Sequence, residues 1–121
     1  MKTLVFILFI ALSFCLSSTG DAAPGVNQDV VRGRKLFNDP KLGGGTAGKS
    51  CNTCHADGAD LKKAASRSKF MVFEGLFNSL QEVVNTCIVN TMSGKELPMD
   101  SGEMKDIVAY IKSLGIKSLG E

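Results

Sequence analysis

The 121-residue chain holds a single histidine, His55, and only two of its four cysteines lie close together in sequence. A structural zinc site takes four nitrogen or sulfur ligands at paired spacings, and with no second pair here that reading lacks its donors. Neither sign of charge is in excess, since 14 basic and 12 acidic residues leave a formal +2 at neutral pH. Nucleic-acid binders carry a strongly basic balance or stripe, and this composition gives no such footprint. Long hydrophobic runs are missing apart from Leu4 to Leu12, which falls short of the roughly 20 apolar residues that a spanning helix needs.

That one run follows Met1-Lys2-Thr3 and is followed by small residues leading to Gly20-Asp21-Ala22-Ala23. This is the layout of a secretory signal peptide. Cleavage is expected after Ala22 or Ala23, dividing the chain into a signal at residues 1–22 and one domain at residues 23–121, periplasmic or otherwise exported and free of the membrane once cleaved. Cys15 follows the bulky Phe14, where lipoprotein processing takes a small residue, so it is expected to leave with the signal. Removing residues 1–22 takes one lysine and one aspartate from the 121 and leaves 99 residues at the same formal charge. A domain of that size is marginal on apolar burial alone.

What is present is Cys51-Asn52-Thr53-Cys54-His55. Two cysteines two residues apart with histidine immediately after form the attachment motif of haem c, in which each thiol adds to a vinyl group and the imidazole is held under the iron. A thioredoxin-like redox pair is the competing reading, but it asks for a preceding strand, and here the glycine-rich Gly43 to Gly48 precedes. Cys51 and Cys54 are therefore read as thioether positions of one covalent haem c, and His55 as an iron ligand. An apo fold is expected to show a hollow.

Along the rest of the chain, Gln28 to Phe37 reads as an amphipathic helix capped by Asn27, with Gly33 and Phe37 on one face. Asn38-Asp39-Pro40 ends it. Asp57 and Asp60 lack calcium-loop spacing and are read as turn residues. Lys62, Lys63, Arg67 and Lys69 read as a solvated face, or as a contact for an acidic partner or the haem propionates. Phe70, Phe73 and Phe77 cluster in residues 70–77 and are expected to pack as a wall of the haem pocket. Ser79 to Met92 reads as a helix with a Ser79/Glu82 capping box and an apolar stripe of Leu80, Val83, Val84, Cys87 and Ile88. Ser101 caps a last helix, Gly102 to Leu114, which Gly115 is expected to stop.

Gly33-Arg34-Lys35-Leu36-Phe37, the Cys51 to His55 motif and Ile107-Val108-Ala109-Tyr110-Ile111 together resemble the class I cytochrome c fold, which is all-α and single-domain. The resemblance implies that the first and last helices cross at the haem edge, with Tyr110 facing Gly33. It also implies a sulfur from the second half of the chain as the other axial ligand. Met92, 18 residues before Tyr110, fits the usual methionine place, and Leu97-Pro98-Met99 is similar to the wording of some families. The run from Cys87 through Met92, Leu97-Pro98 and Met104 instead resembles thiosulfate-handling periplasmic cytochromes. It is also similar to the small monohaem subunits of the heterodimeric, gas-binding His/Cys cytochrome complex of anaerobic ammonium oxidisers, with size and single-haem design favouring the latter.

Cys87 would be an unpaired thiol in an oxidising compartment, which asks for an explanation. At about 100° per residue it sits near the middle of the apolar stripe, with Met92 about 140° away at its edge. An inert buried thiol remains the plain alternative. A thiolate ligand lowers the haem potential, whereas a thioether raises it and suits an electron carrier. Three functions follow: a His55/Cys87 haem protein that binds nitric oxide or carbon monoxide or acts as a low-potential redox or sensor subunit, paired with a homologous cytochrome or a redox protein; a His/Met electron-transfer cytochrome; and the haem subunit of a thiosulfate-oxidising enzyme. With no separate catalytic base, a redox or gas-binding role is expected rather than that of a catalyst.

Overall fold

A computed structural model describes residues 27–117. The signal peptide expected at residues 1–22 lies outside them. Helix α1 spans Gln28–Phe37, α2 Cys51–Cys54, α3 Leu80–Met92 and α4 Gly102–Lys117; strands β1 (Phe70–Val72) and β2 (Gly75–Phe77) form an antiparallel hairpin between α2 and α3.

The helices begin where the sequence places their caps. The Asn27 side chain accepts the Asp29 N–H at 3.0 Å, the Ser79 hydroxyl accepts the Glu82 N–H at 3.2 Å, and the Glu82 carboxylate accepts the Ser79 N–H at 3.0 Å. Each bond occupies an N–H that the first helical turn leaves without a partner. At the start of α4 the Ser101 hydroxyl accepts the Met104 N–H at 3.2 Å.

The fold turns on the crossing of α1 and α4. A methyl group at Gly33 would come within 1.9 Å of the Asp106 carbonyl oxygen and 2.7 Å of Tyr110 Cβ, so only glycine allows this approach. One turn on, Phe37 and Tyr110 meet edge to face with ring centroids 5.2 Å apart, a favoured aromatic geometry. At the outer edge Arg32 grips Asp106 with both arms, Nε donating to Oδ2 at 2.7 Å and Nη2 to Oδ1 at 3.0 Å. Beneath lies the core, in which Phe37, Ile88, Met92, Met104 and Ile107 are fully buried.

Helix α4 differs from expectation at its end. Gly115 does not stop it, and the helix continues to Lys117. A methyl group at Gly115 would lie 2.6 Å from the Lys62 carbonyl oxygen, so this glycine admits a neighbouring segment instead of ending a helix. Residues 70–77 also take a form that the phenylalanine count did not specify. In the hairpin Phe70 opposes Phe77 and Met71 opposes Leu76; because side chains alternate faces along a strand, the first pair turns inward and the second is exposed.

Candidate haem site

Ser50 sits in extended conformation ahead of α2, and its N–H donates to Thr53 Oγ1 at 2.9 Å. That cap starts a single helical turn, which puts Cys51 and Cys54, three residues apart, on the same side. The His55 N–H closes the turn on the Cys51 carbonyl at 2.9 Å. Asn52 Oδ1 accepts the Asp57 N–H at 2.8 Å and folds the following residues back. Among the described residues Cys51, Cys54 and Cys87 form no disulfide.

These residues open onto a cavity of about 370 Å³, within the range of about 300–1,000 Å³ usual for small-molecule and cofactor sites. Besides Cys51, Cys54 and His55, its wall takes Phe37 from α1, Val83, Val84 and Cys87 from α3, and Ile111 from α4. Burial pushes the Cys51 thiol up to about 11, helped by the nearby Cys87 and Cys54 sulfurs. Burial likewise raises Cys87, with Cys54 adding to the effect. Cys87 is thus electrostatically within reach of both attachment cysteines, across an apolar hollow.

The residues named from sequence divide between this cavity and the surrounding structure. Cys51, Cys54, His55, Phe73, Cys87 and Met92 all line it. Phe70 lies instead in the hydrophobic core, and Phe77 packs half-buried against that core. Met99 is 49% exposed, with its sulfur 3.9 Å from the Asn85 amide nitrogen. Met92, expected at the edge of its stripe, is 1% exposed, because the glycine-rich loop folds over the end of α3. The Thr46 and Ala47 N–H groups both donate to the Met92 carbonyl at 3.0 Å, and the Lys95 N–H donates to Gly43, whose φ of 63° turns the loop.

Phe73 has a φ of 48° and Glu74 one of 63°, the left-handed pair of a two-residue hairpin turn that ordinarily takes Asn-Gly. For a bulky residue this backbone costs on the order of 1–2 kcal/mol. It places Phe73 at the cavity while leaving the residue 60% exposed. Sequence reasoning missed two polar groups. Asn85, buried within the apolar stripe, donates to the Leu97 carbonyl at 2.9 Å and accepts the Leu97 N–H at 2.8 Å, fixing the loop before α4. Asp60 Oδ2 lies 2.7 Å from His55 Nδ1.

The residues present fit haem c: two thiols on one helical face, an adjoining imidazole and an apolar hollow. Held there by Cys51, Cys54 and His55, haem c would supply a one-electron ferric/ferrous couple. The crossed terminal helices, the attachment turn and the hollow together define a class I c-type cytochrome. A model of the SoxA/TsdA cytochrome c domain matches residues 32–118, and the chain belongs to that family, with haem c as its covalent cofactor. The crystal structure of SoxXA from P. pantotrophus is similar in fold, with a TM-score of 0.62 and 22% identity over 74% of this chain. The chain spans 34% of that one, about a third of its length. No protein of curated function matches, and no helix among the described residues is long and apolar enough to cross a membrane.

Proposed function

We propose that this chain is a periplasmic monohaem redox subunit, axially ligated by His55 and Cys87, that works with a partner cytochrome in a thiosulfate-oxidising assembly. The observation that carries the reading is the position of Cys87. It faces the attachment cysteines from the middle of α3, in the cavity they share. Met92 lines the same cavity from the last residue of α3, held under the glycine-rich loop. Family membership supports the thiosulfate context, and the likeness in fold to SoxXA, a heterodimeric cytochrome complex, supports a second cytochrome chain. The sequence has one Cys-x-x-Cys-His motif, and among the described residues the cavity wall holds no base besides His55, which supports a redox subunit rather than a complete catalyst.

The test is absorption and electron paramagnetic resonance of the ferric protein beside its Cys87→Ala and Met92→Ala variants. A thiolate-type low-spin signal is expected in the wild type and in Met92→Ala, and its loss in Cys87→Ala. If Cys87→Ala leaves the spectrum unchanged while Met92→Ala removes a far-red methionine band, the protein is a His/Met electron carrier. Thiosulfate-dependent reduction of the haem with the partner chain present checks the assembly.

The apolar wall around Cys87, with Val83, Val84 and Phe73, favours a second reading, binding of nitric oxide or carbon monoxide by the reduced protein. It is checked by adding carbon monoxide after reduction; an unchanged Soret band overturns it.

A further inference from the structure

We propose that Asp60 is a positioning residue for the proximal imidazole, its carboxylate accepting the His55 Nδ1–H and thereby setting both the orientation and the donor strength of the ring. The proposal rests on His55 as the iron ligand and is independent of which sulfur lies opposite. With Nε2 engaged by iron, the ring proton sits on Nδ1, so His55 donates and Asp60 accepts. Their 2.7 Å separation is at the short end of charge-assisted hydrogen bonds, about 2.7–2.9 Å.

The local fold is built to return Asp60 to the ring. Between them, Asp57 and Gly58 take successive left-handed conformations, φ 52° and 66°, and the first is strained for a non-glycine residue. The Gly58 N–H donates to the His55 carbonyl at 2.7 Å, and Asn52 holds Asp57 from behind. A methyl group at Gly58 would meet Leu114 Cδ1 at 2.3 Å, so the turn is seated against α4. Among the described residues no other hydrogen-bond partner of the ring is present. A histidine ligand ordinarily passes its second ring proton to such an acceptor, which fixes the tautomer and raises ligand basicity. A carboxylate does so more strongly than a neutral amide oxygen, and greater donation favours ferric over ferrous iron.

The experiment is redox titration of the holoprotein with Asp60→Asn and Asp60→Glu. Asp60 is 60% exposed and His55 34%, so solvent weakens the effect and the low end of the usual 10–100-fold range for such partners applies. Asp60→Asn is expected to raise the midpoint by about one decade in the ferric/ferrous ratio, about 59 mV for one electron, at unchanged covalent haem content, and Asp60→Glu to move back toward wild type. Equal midpoints in wild type and Asp60→Asn overturn the proposal. Should neither variant fold, the wild type decides: an exchange-protected His55 Nδ1–H resonance in the reduced protein supports it, and a freely exchanging one overturns it. His55→Ala separates the two levels. If its spectrum matches the wild type, the ligand assignment and the role of Asp60 both fall; if the spectrum changes while Asp60→Asn shifts nothing, only the role of Asp60 falls.

Discussion

The α1–α4 crossing and the flank made by α3 and the hairpin border the same hollow, and they are held in different ways. The crossing is closed by contacts within the polypeptide: the Gly33 notch, the Phe37–Tyr110 ring pair and the two-armed Arg32–Asp106 bridge. The other flank carries Met71, Phe73 and Leu76 exposed on two three-residue strands joined by a strained turn, and Val89 exposed on α3. A two-stranded hairpin is marginal in water by itself. Both flanks give residues to the cavity wall, Phe37 and Ile111 from the crossing and Val72, Phe73, Val83, Val84 and Cys87 from the other flank, but the crossing adds a set of direct helix-to-helix locks that the hairpin lacks. This difference explains how a small domain with a marginal core can hold a cofactor: a clasp locked helix to helix presents the attachment turn, and the less locked wall packs onto what is attached.

The largest effect should come from changing Cys51→Ser and Cys54→Ser together. All covalently bound haem is lost, and hydrogen exchange should rise sharply in α3 and the hairpin while α1 and α4 keep most of their protection. Exchange measured segment by segment on the double variant checks this, and uniform loss across both flanks would break the comparison. Next in size is Gly33→Ala. Its added methyl would sit 1.9 Å from a backbone oxygen, so the helices must part, and the cost should reach or pass about 3 kcal/mol, the upper part of the overpacking range. Gly102→Ala is the control, since nothing lies within 4 Å of a methyl group there and a surface change of that kind stays within about 0.5 kcal/mol. Urea unfolding of the two holoproteins gives the contrast directly; equal midpoints would mean that the crossing is not the clasp.

How legible each flank was in sequence follows the range of the interactions that build it. Asn27, Ser79 and Glu82 announce their helices through bonds two or three residues long, and the attachment motif is contiguous. The Gly33–Tyr110 contact was legible through a resemblance, because glycine and an aromatic at those places imply a close crossing. The hairpin was not, since Phe73-Glu74 lacks the Asn-Gly signal of its turn. Gly115 was misread as a helix stop because its reason, the Lys62 carbonyl, is 53 positions away. Arg32 and Asp106, 74 residues apart, showed no local sign of each other. Asn85 did leave a signal, a polar residue set inside an apolar stripe, and Asp60 left a weaker one, an acid five residues after the lone histidine.

The smallest predicted effect separates the flanks by pH and salt. Asp106 at the crossing and Glu82 at the start of α3 both hold their protons less tightly than ordinary carboxylates, Asp106 through its hydrogen bond and attraction to Arg32, Glu82 through the N–H groups of Asn78 and Ser79 and the Ser79 hydroxyl. A carboxyl group whose folded-state pKa is depressed stabilises the fold above its unfolded pKa, about 3.9 for aspartate and 4.3 for glutamate, and loses that contribution as pH falls through the folded value. Arg32 stays charged throughout. Wild-type stability should therefore exceed that of Asp106→Asn and of Glu82→Ala modestly at pH 7, and both gaps should narrow as pH falls below about 4. Salt should distinguish them. The Arg32–Asp106 bridge reaches solvent through Arg32, whose side chain is half-exposed while Asp106 is largely buried, so screening should shrink the Asp106→Asn gap in part, whereas the Glu82 cap rests mainly on neutral N–H donors and should hold. Thermal unfolding of the three proteins at pH 7 and pH 3, in low and high salt, checks this. Equal salt sensitivity of the two gaps would remove the distinction between a charged clasp on one flank and a neutral cap on the other.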